Sequence, residues 1–206
     1  MPQMRAAISR ERILDAAASE FDQSGYASTS MATIAASIGK EKGFVSHHFP
    51  TKSLLAIALV EQLQQQVPIL IRQSLDETGS GLGALVVLTH KLAVMFRDNV
   101  RIRAALRLQR EAATVETPLP YPYQECIDSM ERLLSISEQA GELLPSLDIN
   151  LTARVVVGAF VGIQQVANNT GQRAHVTEWT QSMWAALLPG LVPAKEINAF
   201  MELSRT

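Results

Sequence analysis

Between Thr29 and Lys52 the chain gathers the side chains best suited to holding a nucleic acid. Thr29, Ser30 and Thr33 place hydroxyls at the expected start of a short helix, where free backbone N–H groups also favour phosphate. Lys42 and Lys52 can pair with backbone phosphates, which gives an affinity that depends on salt and not on base sequence. Phe44 can touch a thymine methyl, while Ser46 and His47 can hydrogen-bond to base edges. His48 is read as a packing or phosphate-contacting residue. Adjacent histidines cannot easily share one metal on a helix, so the pair reads otherwise as a partly buried helix end.

Other chemistries find less support. The histidines (His47, His48, His90, His175) and the single Cys126 are scattered. There is no HExxH, no acidic metal-binding pair on a helix, no phosphate loop and no GxSxG. No catalytic residue, metal or cofactor is therefore expected, and an all-helical lyase or hydrolase stands as the competing class. A lone cysteine can form neither an internal disulfide nor a CxxC site. Cys126 reads as a small buried apolar residue, with a redox sensor as the sharper alternative.

The elements that must position these groups are helical throughout. Ile13, Leu14, Ala17, Ala18 and Phe21 share one helical face, and Gly25 supplies the left-handed residue that commonly ends a helix. Tyr26 can fold back onto that end. Ser30 is a good N-cap for a second helix that turns Met31, Ile34, Ala35 and Ile38 inward. Gly39 ends it, and a third short helix is predicted from about Lys42 to His48. Phe49-Pro50-Thr51 breaks the chain before a long fourth helix from Lys52, with a kink expected near Pro68. Further helices are predicted at about 82–97, 99–113, 121–141, 148–169, 176–188 and 194–204. The short pair over 30–48 can lay its second helix in the major groove. Any all-α protein also contains short helices joined at glycine, so spacing alone leaves that reading open.

Composition sets the frame. The 206 residues are 47% hydrophobic and 18% charged, which suits a globular protein with a substantial core. The net charge of −2 does not advertise DNA binding, although residues 1–53 hold six Lys/Arg against five Asp/Glu. The longest apolar run, Val155 to Ile163, is too short for a bilayer, and the N-terminus has no apolar signal region. No membrane partner and a cytoplasmic location are expected.

The ordered set Arg12-Ile13-Leu14-Asp15-Ala16-Ala17, Phe21, Gly25-Tyr26, Thr29-Ser30, Ile34-Ala35, Gly39, Lys42-Gly43, His48-Phe49 and Lys52-Ser53-Leu54-Leu55 resembles the N-terminal domain of the TetR family of repressors. The resemblance implies three N-terminal helices that bind double-stranded, pseudo-palindromic operator DNA, with Gly43 in the reading helix. It also implies a larger helical domain that binds a small ligand and forms a homodimer. We place the helix-turn-helix DNA-binding domain at 1–51 and the helical ligand-binding and dimerisation domain at 52–206. Three positions depart from the family pattern. Lys40 stands where an apolar residue packs under the turn, Glu41 replaces a capping Ser or Thr, and Ser46 replaces a Tyr that contacts phosphate. A regulator with an unrelated ligand or weak DNA binding, or an adaptor that kept the fold, therefore stays open.

The second half is similar to a narrower group, the γ-butyrolactone receptors of the TetR family. The carriers are Arg107-Leu108, Pro118 to Tyr123, Asp148, Ala153-Arg154, Phe160-Val161-Gly162, Val166, Arg173, Trp179, Trp184 and Leu188-Pro189-Gly190. This implies a repressor released from DNA by a small, apolar signalling lactone. Cys126 stands where that group usually has a pocket Trp, and a thiol cannot supply the flat apolar wall of an indole. Expected pocket residues on the fifth and sixth helices are Leu88, Leu92, Met95 and Leu106. Cys126, Met130, Val157 and Phe160 are expected to join them, with Gln109 and Gln164 as polar anchors. A Met-and-aromatic stripe at this spacing also fits plain core.

The helix over 148–169 is apolar almost all round from Val155 to Ile163 and needs burial on more than one face. Trp179, Met183 and Leu187 make a second stripe at i, i+4, i+8. Two such helices from each subunit would form a four-helix interface, with Gly158 and Gly162 allowing close approach. The alternative is the central helix of a monomeric core.

Overall fold

The computed structural model describes residues 2–120 and 123–205; Tyr121 and Pro122 of the proline-rich segment lie outside them. Among the described residues there are ten α-helices, three short 3-10 turns and no strand. The helices are α1 (Pro2–Ser28), α2 (Met31–Ser37), α3 (Lys42–His48), α4 (Lys52–Thr78), α5 (Gly81–Asp98), α6 (Val100–Arg110), α7 (Tyr123–Gln139), α8 (Ile149–Asn169), α9 (Val176–Leu187) and α10 (Ile197–Leu203). The all-α reading is correct. α4 stays helical through Pro68.

The described residues pack as two compact units. The first holds residues up to 66 together with 99–120, and the second holds 67–98 together with 123–205. The expected boundary at 51/52 coincides with the start of α4. The division by packing runs differently, because α6 returns to pack along α1.

In the first unit Ile13, Leu14, Ala17, Ala18 and Phe21 are buried along α1, as their spacing implies. Gly25 interrupts the helix at φ 78°, ψ 174°. A side chain there would be strained, and its Cβ would lie 2.7 Å from Arg107 Nη2 and 2.9 Å from the Glu111 carboxylate. Tyr26 then folds back to stack on Phe21, with ring centroids 5.7 Å apart.

In the second unit α5 is the central element, buried at every residue from Gly81 to Thr89. It crosses α7 so closely that a Cβ on Gly81 would sit 1.9 Å from the Leu133 carbonyl oxygen. The crossing is fixed by polar contacts: Leu82 N–H donates to Ser137 Oγ at 2.6 Å, and Ser137 and Ser80 hydroxyls both donate to Glu142. The Trp184 indole N–H donates to Thr89 Oγ1 at 2.8 Å, which ties α9 to α5 inside the core. By length and composition α4 and α8 each reach the span of a bilayer, which the longest unbroken apolar run did not reveal.

Candidate nucleic-acid interface

The α2–α3 pair rests on a few buried anchors. Ile34 and Ala35 of α2 and Val45 of α3 are essentially inaccessible. Ser30 caps α2: its hydroxyl accepts from Thr33 N–H at 3.0 Å and lies 2.5 Å from Thr33 Oγ1. Glu41 stands at the N-cap of α3, where its side chain makes no capping bond. A helix with Val45 turned inward must turn the opposite face outward. Lys42, Gly43 and His47 are exposed and Ser46 is half-buried, so 42, 43, 46 and 47 form one outward face. A Cβ on Gly43 would meet nothing within 4 Å, so that face admits close approach. Phe44 and His48 are half-buried and pack edge to face, centroids 5.3 Å apart, with His47 5.5 Å from His48.

Two expected phosphate contacts point elsewhere. Thr29 is buried, and its hydroxyl donates to the Gly25 carbonyl at 2.7 Å. Lys52 Nζ donates to the carbonyls of Tyr26 (2.8 Å) and Thr29 (3.0 Å) and lies 4.0 Å from the Tyr26 ring centroid. The Tyr26 carbonyl, which also accepts the Thr29 N–H at 3.2 Å, and the Thr29 carbonyl both lie where the chain leaves α1, and the ammonium bridges them. Lys52 thus ties the start of α4 to the end of α1. Ser30, Thr33, Lys42, Gly43, Phe44, Ser46, His47 and His48 stay together on or beside the outward face.

An arginine ladder between α6 and α1 escaped the sequence reading. Arg101 donates to Asp15 at 2.7 Å and to Glu11 at 2.6 Å, and Arg103 pairs with the buried Asp22 at 2.9 Å. Arg107 donates to the Asp22 carbonyl and to Glu111, each at 2.7 Å. Glu111 also accepts the Tyr26 N–H at 2.8 Å, and the Tyr26 hydroxyl donates to Glu116. Glu11, Asp15 and Asp22 recur at i, i+4, i+11, so an acidic stripe on an otherwise amphipathic helix was the available signal.

These contacts shift titrations. Burial, reinforced by the Glu116 carboxylate, pushes the Tyr26 hydroxyl up. Burial alone would raise the Glu111 carboxyl, but Arg107 and the Tyr26 N–H outweigh it and hold it below the ordinary glutamate range. A depressed carboxyl adds stability above the unfolded value, about 4.3, and loses it as pH falls through the lower folded value. Wild type is therefore expected to lose more urea resistance than Glu111→Gln as the pH is lowered from about 5 toward 3. Parallel urea midpoints in the two proteins across that range would contradict this.

The expected ligand residues divide between the units. Leu88, Leu92 and Met95 of α5, Cys126 and Met130 of α7, and Val157, Phe160 and Gln164 of α8 all belong to the second. Leu88, Met130, Phe160 and Gln164 are buried there, the others half-buried. Leu106 and Gln109 lie on α6 and belong to the first unit. A surface groove of about 590 Å³ runs along α7 past Asp128, Arg132 and Gln139, and it contains none of these ten residues.

Of the expected dimer residues, Val155 is 46% exposed, and Gly158 and Gly162 are exposed with open space where a Cβ would stand. Trp179 and Leu187 are half-buried. Met183 is 7% exposed and serves the core of its own chain, so the stripe at i, i+4, i+8 does not run along one outer face. Leu151 and Val166, not foreseen, extend the exposed apolar face of α8 at 58% and 52%.

Comparison with known proteins gives this geometry a context. Residues 13–59 match the family described as bacterial regulatory proteins, tetR family, and residues 79–193 match the tetracyclin repressor-like C-terminal domain. The chain is 31% identical over 189 residues to the A-factor receptor protein of Streptomyces griseus, an alignment covering 92% of this chain and 66% of that receptor's own length. It is similar to CprB from Streptomyces coelicolor, solved in complex with its biological operator sequence, at 31% identity and a TM-score of 0.84 over 98% of this chain and 96% of that one. A γ-butyrolactone receptor described as an ArpA-like protein matches at 30% identity and a TM-score of 0.84, over 98% of this chain and 96% of that one.

Proposed function

The chain belongs to the tetR family of bacterial regulatory proteins, and on that premise we propose that it is a homodimeric repressor released from a pseudo-palindromic operator by a small γ-butyrolactone-like molecule. The observation that carries the reading is the outward face of α3. Lys42, Gly43, Ser46 and His47 are presented by a helix whose opposite side is anchored through Val45, in a chain that aligns end to end with an operator-bound relative. Lys42 would hold phosphate, and Phe44, Ser46 and His47 would meet base edges. Ser30 and Thr33 would steady the start of α2 on the DNA backbone.

Residues 1–51 serve as the DNA-reading part and 52–206 as the part for ligand and partner, with α6 serving both through its ladder to α1. The apolar face of α8, from Leu151 to Val166, is the surface for a second copy of the chain and not for lipid. A two-fold dimer sets its recognition helices about 34–36 Å apart, one turn of DNA, to read two half-sites. A ligand releases the protein only as far as it prefers the state in which that spacing is lost. Met130, Phe160 and Gln164 are its best placed contacts, since all three are buried and one placed amide can orient a ligand in an apolar surround. Cys126 in place of the expected indole argues for a different or larger molecule than the usual lactones. The protein would act in the cytoplasm, where its DNA is.

The test is a mobility shift with selected promoter DNA and added γ-butyrolactones of varied acyl chain. Release by at least one of them at micromolar concentration supports the reading. Retention of DNA with all of them, by a protein that binds DNA well, removes the lactone from it.

A further inference from the structure

Two sets stand apart among the cations of the first unit. Arg101, Arg103 and Arg107 are consumed by carboxylates of α1 and Glu111, and Lys52 is held by backbone carbonyls. Arg10, Arg12, Lys40 and Lys42 are exposed and make no ion pair among the described residues. Two of these four are held in place by rings of the reading unit. The Arg10 guanidinium lies 4.1 Å from the centroid of Phe49, the residue that ends α3. Lys40 Nζ lies 5.4 Å from the centroid of Phe44, on the first turn of the same helix. A guanidinium or ammonium over an aromatic face is restrained without being neutralised.

We propose that Arg10 and Lys40 form a two-ended phosphate clamp on duplex DNA, one cation at each end of α3. The inference rests on the DNA-binding reading above and adds two contacts to it. Arg10 precedes the segment that carries the family pattern, residues 13–59, and Lys40 departs from that pattern. α3 is a seven-residue helix about 10 Å long, and the major groove, about 12 Å wide, admits it by its diameter with a phosphate strand along each edge. Cations held beside either end of a helix seated there lie within side-chain reach of the phosphates along the groove edges. Lys40 moves charge to a position where an apolar side chain would serve packing alone, and it offsets the exposed Glu41 carboxylate beside it. With no Tyr at 46, the clamp adds backbone contacts to the one that Lys42 supplies from α3.

The clamp is tested with the full chain and a mixed-sequence duplex of about 30 base pairs, titrated by fluorescence anisotropy between about 50 and 200 mM salt. Each phosphate neutralised steepens the fall of log K with log salt by about 0.9. Arg10→Gln and Lys40→Gln are each expected to flatten the slope by about that amount, and the double variant by about twice it. Arg10→Lys, which keeps the charge, should keep the slope, as should Lys195→Gln in the second unit. Thermal melts of each variant check that the fold is retained. Wild-type slopes in both single variants would overturn the clamp while leaving DNA binding intact. Failure of the unmodified chain to bind any duplex at low salt would overturn both readings.

Discussion

Val155→Glu is expected to turn the dimer into a monomer and to weaken operator binding by roughly 100-fold or more, since two linked half-site contacts gain about 10²–10⁴ over one. Val155 is 46% exposed in the single chain, in line with exposed Leu151 and Val166 and with the open positions at Gly158 and Gly162. A glutamate there meets solvent in one chain but would be buried, unpaired, against its counterpart across a two-fold axis. The substitution should therefore spare the fold and remove the assembly. Sedimentation should report the mass of one chain with helical content unchanged, while binding to non-specific DNA falls far less than binding to a palindrome. A Val155→Glu protein that still sediments as a dimer would move the interface off this face of α8.

Asp22→Ala is the other large effect, and it acts on stability first. Asp22 is 6% exposed and its carboxylate sits 2.9 Å from Arg103 Nε. Removing one partner of a buried pair costs about 3–5 kcal/mol, because the remaining charge keeps its desolvation penalty and loses its compensation. The urea midpoint should fall accordingly. The double variant Asp22→Ala, Arg103→Met should recover much of the loss, because no charge is then left buried. A single variant within about 1 kcal/mol of wild type would show that the pair is solvated in practice and that the ladder adds little. The consequence for function follows from position: Asp22 lies one turn before Gly25, where α1 meets α6, so loosening it should also raise the variability of operator binding with temperature.

Local chemistry was the most legible part of the fold. Gly25 and Gly39 mark helix ends by backbone preference and Ser30 by its capping hydroxyl, and the spacing places the third helix at Lys42–His48, where it lies. Asp148, whose carboxylate accepts from Leu151 N–H at 2.9 Å, caps α8 close to its expected start. What spacing could not supply was the direction in which a polar side chain is drawn by distant backbone. Thr29 and Lys52 have the right types for phosphate, yet the carbonyls of Gly25 and Tyr26 claim them. Met183 fitted an interface stripe, but α9 turns that residue into its own core. That α6, which carries Leu106 and Gln109, packs along α1 through the arginine ladder was likewise beyond what spacing shows. Pairings between helices about 80 residues apart leave only a weak trace in one sequence, here the acidic stripe at Glu11, Asp15 and Asp22.

The central claim is that the outward face of α3 reads DNA as one half of a symmetric pair. Selection of bound fragments from random duplex DNA tests it most directly, with recovered sequences scored for inverted repeats and binding remeasured at rising salt. The expected result is a pseudo-palindrome with half-site centres about one helical turn apart, and affinity that falls steeply with salt. Lys42→Ala should weaken binding to all sequences alike, and Ser46→Ala or His47→Ala should relax particular base positions. Recovery of no enriched sequence, from a chain that remains dimeric and folded at low salt, would contradict the account.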